Sequence, residues 1–332
     1  MRPTIKDVAK KAKVSTATVS RIVNQLDGYS EETRQRVLST ISSLGYRRNA
    51  VARGLVRRTV NTIGVLLPDV SSRFASALLQ GIESKAHLMG HSVIVCNTSS
   101  DGERTIEYLD VLGERRVDGI LFASERVKPE YDRAFRELAI PVVLVSSFSR
   151  EFPLPYVKVD DEMAAYDMTR FLLDKGHRRI ALITGSRRDS IAGLPRIKGF
   201  RRAMREAGLD VPSDWIVEGD FHYRSGYHAL SRLLETARGM TAVFATSDEM
   251  ALGALSCSFS AGLRVPDDLS VVGYDDTLDA EMAIPPLTTV HQPIMEMGER
   301  ATDMLLGAEA SRRGVILPHT IVQRGSVKEV RG

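Results

Sequence analysis

The side chains of this sequence best placed to do chemistry are three short ones and an arginine: Thr16, Ala17, Ser20 and Arg21. On a helix they share one outward face. Small groups toward its N-terminal end permit close approach to base edges, and the planar fork of Arg21 one turn later matches O6 and N7 of guanine. That chemistry is recognition of DNA in a major groove, with no bond made or broken. Reactive constellations are missing: the sequence has no P-loop, no GxGxxG after a strand, no GxSxG elbow and no HExxH, and its seven histidines are scattered. His87 and His91 stand four apart, but Gly90 ends their helix and no third ligand is in view. We therefore expect no catalytic residue, no metal and no cofactor.

Two short helices must position the reading face. Thr4 followed by Asp7 makes a capping-box-like start, and Ile5, Val8, Ala9 and Ala12 recur at helical spacing on one side. Lys13 and Val14 form the corner, Ser15 caps a second helix, and Val19, Ile22 and Val23 turn inward beneath the reading face. Backbone contacts to phosphates are expected from the two helix starts, with Thr4, Ser15, Thr18 and Asn24 as candidates. Asp27-Gly28 is a turn, and Ser30 caps a third helix whose Val37, Leu38, Ile41 and Leu44 close a small core before Gly45.

Charge agrees with this reading. Residues 1–60 carry thirteen Lys and Arg against four Asp and Glu, a net of +9, so the whole-chain charge of +3 leaves −6 for the remainder. Positive charge is gathered at the end that would meet phosphates. The 332 residues suffice for about two or three structural units. Apolar runs are strand-sized and no charged-then-apolar leader opens the chain, so a cytoplasmic protein is expected. Cys96 and Cys257 lie in apolar stretches without metal-ligand spacing and read as small buried hydrophobes.

From Asn61 onward, apolar runs such as TIGVLLPD, DGILFAS, RIALITG, TAVFATSD and LSVVGYDD alternate with amphipathic helices, the pattern of a parallel α/β sheet. Two Rossmann-like lobes follow, the second starting at Asp160 and the chain returning to the first near His291, so that the lobes hinge about a shared cleft. The near-terminal run VILPHTIVQR is read as one apolar stretch. Ligands of such sheets bind beyond the carboxyl ends of the strands. There Asp275 could take two vicinal hydroxyls, and Arg196 could grip hydroxyls or a phosphate, or equally form a salt bridge.

The stretches TIKDVAKKAKVSTATVSRIVN and LGYRRNAVARGL resemble the headpiece of the lactose and galactose repressor (LacI/GalR) family, and LPD, VDGI, GHRRIA, RIKGFRRAM, TSDEMALG, VGYDD and PPLTTV follow in the order of that family's core. The resemblance implies an α/β fold: a three-helix helix-turn-helix headpiece at 1–48, a hinge helix at 49–60, and a two-lobed core like a type I periplasmic binding protein. The core would divide into an N-subdomain at 61–159 and 291–321 and a C-subdomain at 160–290 and 322–332. It implies further operator contacts at Asn49, Ala52 and Leu55, the leucine acting as an apolar wedge in the minor groove. The chain reads Tyr46-Arg47-Arg48-Asn49 where relatives commonly have Tyr-x-Pro-Asn. For the effector, the resemblance favours Arg196 as a contact and points to Phe221 against a ligand ring, with Ser247 and Asp248 beside it. On the near lobe Ser72 and Phe74 match the first loop, and Ser147 matches a position where Asp or Asn is frequent. The implied protein is a dimeric repressor of carbohydrate genes controlled by a sugar or sugar phosphate, and small residues in ALGALSCSFSAG would let helices of two copies approach closely. No leucine heptad follows Gln323, so no tetramer is expected. A catabolite-control version, with a phosphorylated phosphocarrier protein as corepressor, is the alternative, although Met295, Asp303 and Gly307 replace aromatic and basic residues of that docking helix. A carbohydrate enzyme on the same sheet is a third reading, opposed by the missing catalytic groups.

Overall fold

The computed structural model describes residues 3–23, 26–46, 60–99, 102–307 and 314–330. They fall into two units, Met1–Val60 and Asn61–Gly332. The first holds α1 (Ile5–Ala12), α2 (Thr16–Val23) and α3 (Glu31–Leu44). Its core is Val8, Ala9, Ala12, Val19, Ile22, Val23 and Val37, with Ile5, Val14, Ile41 and Leu44 packed around them. Leu38, expected in this core, is 42 % exposed. Val37, Ile41 and Leu44 already define the inward stripe of α3, and Leu38 is turned about 100° away from Val37. The buried neighbour is Thr40, whose hydroxyl is satisfied by donating to the Arg36 carbonyl at 2.8 Å. Gly45 ends α3 at φ +61°, where a side chain is disfavoured. The expected hinge helix, with Asn49, Ala52 and Leu55, lies outside the described residues, as does Asn24.

In the second unit, β1 (Thr62–Leu67), α4 (Arg73–Leu88), β2 (Ser92–Asn97), α5 (Thr105–Glu114), β3 (Gly119–Ala123), α6 (Pro129–Leu138), β4 (Val142–Val145) and β5 (Tyr156–Val159) build a first lobe. The chain then crosses into α7 (Asp161–Asp174), β6 (Ile180–Thr184), α8 (Gly193–Glu206), β7 (Ile216–Glu218), α9 (Tyr223–Thr236), β8 (Ala242–Ala245), α10 (Asp248–Ser260), β9 (Ser270–Asp275), α11 (Leu278–Met282) and β10 (Thr288–His291). It returns for α12 (Ile294–Leu306) and β11 (Val315–Leu317), and crosses a last time into β12 (Thr320–Val322). The sheets have the orders β11-β5-β4-β3-β1-β2 and β12-β10-β9-β8-β6-β7. All pairings are parallel except β10 with β12.

Strands such as β3, β4, β6 and β8 are buried along their whole length, as helices on both faces of a parallel sheet require. In the first lobe Leu78, Ile82, Met297 and Ala301 cover one face while Leu109, Leu112, Tyr131 and Phe135 cover the other. The run VILPHTIVQR is two strands in two different sheets, broken at Pro318. The last crossing therefore falls at Pro318–His319, ahead of the expected boundary at 321/322.

Small residues in the first half of ALGALSCSFSAG pack inside the chain. Ala251, Gly253 and Ala254 are buried, and a Cβ on Gly253 would overlap the Tyr223 carbonyl at the α9–α10 contact. The same device joins α7 to α8, where a Cβ on Gly199 would overlap the Glu162 carbonyl oxygen. Because that neighbour is backbone and cannot swing away, Gly199→Ala should destabilise the core by about 1–3 kcal/mol. A urea titration is expected to show a lower midpoint with an unchanged slope.

Candidate functional site

The reading face forms as its sequence requires. The Asp7 carboxylate accepts from the Thr4 amide at 2.8 Å and the Thr4 hydroxyl at 2.7 Å, and these hydrogen bonds hold its carboxyl below the usual range. Ser15 Oγ accepts from the Thr18 amide at 3.0 Å, capping α2. Ser15, Thr16, Ala17 and Arg21 are exposed and Thr18 is half-buried, above the buried Val19, Ile22 and Val23. The Arg21 guanidinium rests against the turn at Gly28, where a Cβ would come within 3.1 Å of it.

In the core, strand order reverses between β1 and β3 in one sheet and between β6 and β8 in the other. Loops leaving the carboxyl ends at such a switch point diverge to opposite faces and leave a crevice. Backbone at these ends is held in the left-handed region by residues other than glycine: Ser124 at φ +55°, Ser146 at +45°, Phe221 at +69°, Asp275 at +129° and Asp276 at +62°. Strain gathered at strand ends is characteristic of binding sites.

Four of the seven expected effector residues are drawn together there. Arg196, 4 % exposed, donates from Nε and Nη2 to Asp161 Oδ1 at 3.1 and 2.9 Å and from Nη1 to the Thr246 carbonyl at 2.6 Å. Its guanidinium stacks on Tyr274 with 3.7 Å to the ring centroid and faces Phe221 at 5.8 Å. Ser247 caps α10 and donates to the Phe221 carbonyl at 2.9 Å. Asp275 accepts from Gln292 Nε2 at 2.7 Å. The Phe221 ring lies against Gly185, where a Cβ would overlap it.

The near-lobe candidates are committed locally. Ser72 caps α4, Phe74 packs on the first-lobe core, and Ser147 donates to the Glu125 carbonyl at 2.6 Å. Of the two roles its sequence position left open, Arg196 forms the salt bridge, and that salt bridge is buried instead of at the surface. Sequence reasoning missed Asp161, Tyr274, Thr246 and Gln292. Asp161 has the nearby Lys158 Nζ at 3.2 Å and accepts from the Tyr274 hydroxyl at 3.2 Å, the latter a partner visible only once distant segments meet.

Burial alone would lower the Arg196 pKa, but Tyr274, Asp161 and Asp275 around it raise it. Burial pushes the Asp275 carboxyl well above its ordinary range, Arg196 draws it back, and Asp248 pushes it further up. Asp248 takes hydrogen bonds from the Thr277 amide at 2.7 Å, the Thr277 hydroxyl at 3.0 Å and the Thr289 hydroxyl at 2.5 Å, yet burial pushes it up to about 6. Four buried polar atoms near the carboxyl ends of β1, β6, β8 and β10 have no hydrogen-bond partner: Asp69 Oδ2, Thr184 Oγ1, Thr246 Oγ1 and Gln292 Oε1. Hydroxyls of a polar ligand would satisfy them.

The two lobes also touch. The Arg73 amide donates to Glu249 Oε1 at 2.9 Å and its Nε to Asp279 Oδ2 at 2.6 Å, while His222 lies 3.6 Å from Asp69 and 3.4 Å from Glu249. Beyond β3, β4 and β5 a cavity of about 430 Å³ opens between the lobes, and none of the seven candidates lines it. Among the described residues no cluster suited to a metal is present.

Residues 4–49 match the family model of bacterial regulatory proteins of the lacI family, and residues 169–327 match a periplasmic binding protein-like domain. The chain is 40 % identical to catabolite control protein A of Priestia megaterium, over 99 % of this chain and 100 % of that protein. It is similar to a Lac repressor bound to ONPG in the repressed state, with a TM-score of 0.88, 30 % identity, and 98 % and 100 % of the two chains covered. It is also similar to a CelR–cellobiose complex, with a TM-score of 0.73, 32 % identity and the same coverage.

Asp248 supplies a test of the buried carboxylates. Its folded pKa of about 6 stands above the 3.8 of an unburied aspartate, so its contribution to stability is present in full below about 3.8 and is lost as pH rises through about 6. Denaturant melts between pH 4 and 7 should therefore show stability falling through this window, and Asp248→Asn should flatten the fall.

Proposed function

Since the chain belongs to the lacI family of bacterial regulatory proteins, we propose that it represses genes of carbohydrate metabolism, with a sugar or sugar phosphate as effector in the interlobe crevice. The observation that carries the effector reading is the group of buried Arg196, Ser247 and Asp275 with half-buried Phe221, beside the unpartnered Thr246 and Gln292 oxygens. It offers an aromatic plate, acceptors for hydroxyls and a fixed cation at the carboxyl ends of the strands, a composition suited to a polyhydroxylated ring.

In this reading α2 enters the major groove, with Thr16, Ala17 and Arg21 at the bases and Thr4, Ser15 and Thr18 at the phosphates. Asn24, Asn49, Ala52 and Leu55 would extend the contact, Leu55 in the minor groove. The working form is a homodimer acting in the cytoplasm. Pairing of two copies through the second lobe is supported by large apolar side chains left on its surface: Phe259 and Ile284 are 86 % and 94 % exposed, and Leu278 and Met282 are exposed as well. Among the described residues no helix is long and apolar enough to cross a membrane. An effector that changes the lobe angle shifts operator affinity by its differential affinity for the two states.

A phosphocarrier protein as corepressor is the second reading, favoured by the identity with catabolite control protein A. Asp303 on α12 weighs against it, being an acidic residue, paired with Lys85 at 2.8 Å, where the resemblance leads one to expect a basic one.

Two measurements test the proposal. Arg21→Ala should cost about 1–3 kcal/mol of operator binding and relax preference at one base pair per half-site, read by binding-site selection. Full retained discrimination would show that α2 is not the reading helix. Asp275→Ala should abolish the response of operator affinity to the effector while ligand-free operator binding stays near normal in an anisotropy titration. A variant that still responds would remove Asp275 from the site.

A further inference from the structure

The 430 Å³ cavity has a composition of its own. From the first lobe come Arg126, Phe148, Ser149, Arg150 and, on β5, Lys158, and from the second come Ser190 ahead of α8 and Leu194 and Lys198 on it. Each of its acidic lining residues already has a partner. Glu151 lies 3.5 Å from Arg126, Glu162 lies 3.3 Å from Arg202, and Asp160 accepts the Met163 amide at 3.0 Å to cap α7. Lys158 is held by Asp161 at 3.2 Å. Among the described residues this leaves Arg150 on one lobe and Lys198 on the other without an ion-pair partner, both exposed and both bordering the same space.

Like charges on opposite walls repel, and this favours the open mouth. An anion between them turns repulsion into attraction from both sides, and an arginine with a lysine is a common pair for a phosphate. The floor is apolar. Phe148 is 37 % exposed and braced edge-on by Tyr156 with 4.9 Å between centroids, and Ile191, Leu194 and Pro195 lie along the same cavity. A plate of this kind takes the face of a ring, and Ser149 and Ser190 add hydroxyls at its edge.

We propose that this cavity is an anion subsite that takes the phosphate of a phosphorylated ring compound, with Arg150 and Lys198 drawing the two lobes together around it. The inference rests on the reading of the crevice as the effector site and narrows its occupant to a phosphate ester.

Ribose 5-phosphate, the unit shared by pentose phosphates and nucleotides, and unesterified ribose are the matched probes, titrated calorimetrically into the full chain at constant ionic strength. The ester should bind saturably and at least about tenfold more tightly than ribose, and Arg150→Gln and Lys198→Gln should each remove most of that preference without changing ribose binding. Equal affinity for the two probes, no saturable binding of the ester at millimolar concentration, or a preference that survives in both variants would overturn the subsite. An operator-binding assay with the same probes separates the two claims. Ribose that shifts operator affinity without any ester preference sinks the subsite and keeps the effector crevice. Ester binding that depends on Arg150 and Lys198 but leaves operator affinity unmoved keeps the subsite and sinks the effector reading.

Discussion

A guanidinium taken almost wholly out of water is the constraint around which the second lobe is arranged. An uncompensated charge at the depth of Arg196 would cost several kcal/mol. The lobe meets it from four directions: Asp161 at the start of α7, the Thr246 carbonyl after β8, the Tyr274 ring on β9 and the field of Asp275. These groups come from distant segments, as the Tyr274–Asp161 hydrogen bond across 113 residues illustrates. The demand for their convergence ties the N-terminal ends of α7 and α8 to the carboxyl ends of β8 and β9. The buried carboxylates beside Arg196 are tolerated for the same reason, since each lies in the field of a cation that burial makes stronger.

Local signals in the sequence were legible where the physics is local. Caps, helical periodicity and the corner at Lys13 place α1 and α2 correctly because each rests on neighbours three or four residues away. Apolar runs identify the strands because both sheets are covered on both faces. Arg196 and Asp275 stand out because strand ends are where a doubly wound sheet exposes polar groups. The partners of Arg196 were not legible, since Asp161 reads as an ordinary first-turn acid and Tyr274 as core until β9 is laid beside α7. The serines show the opposite failure. Ser72, Ser147 and Ser247 stand at the expected loops, but their hydroxyls are satisfied by amides and carbonyls a few residues away or across one loop. Pro318 was visible, but that it divides one apolar run between two sheets depends on pairings with β5 and β10.

The lobes are tied unevenly. Contacts of Arg73 and His222 join them beyond β1, whereas beyond β3, β4 and β5 they are parted by the cavity. The Arg73 side chain is 62 % exposed, and a pair so open to solvent contributes about 0–1 kcal/mol. Such a tether biases the lobe angle without locking it, within the range a ligand's differential affinity can overturn.

The three crossings between lobes bear on how the protein is made. When synthesis has passed Val159, five strands of the first sheet exist, but α12, which supplies Met297 and Ala301 to their core, is still more than a hundred residues away, and β11 follows later still. At about 5–20 residues per second, the ribosome leaves this apolar face without its final cover for many seconds, while the whole second lobe emerges between. The first lobe to begin is thus completed only after most of the second has emerged, and an unfinished chain carries an apolar surface that its closing helix has yet to cover.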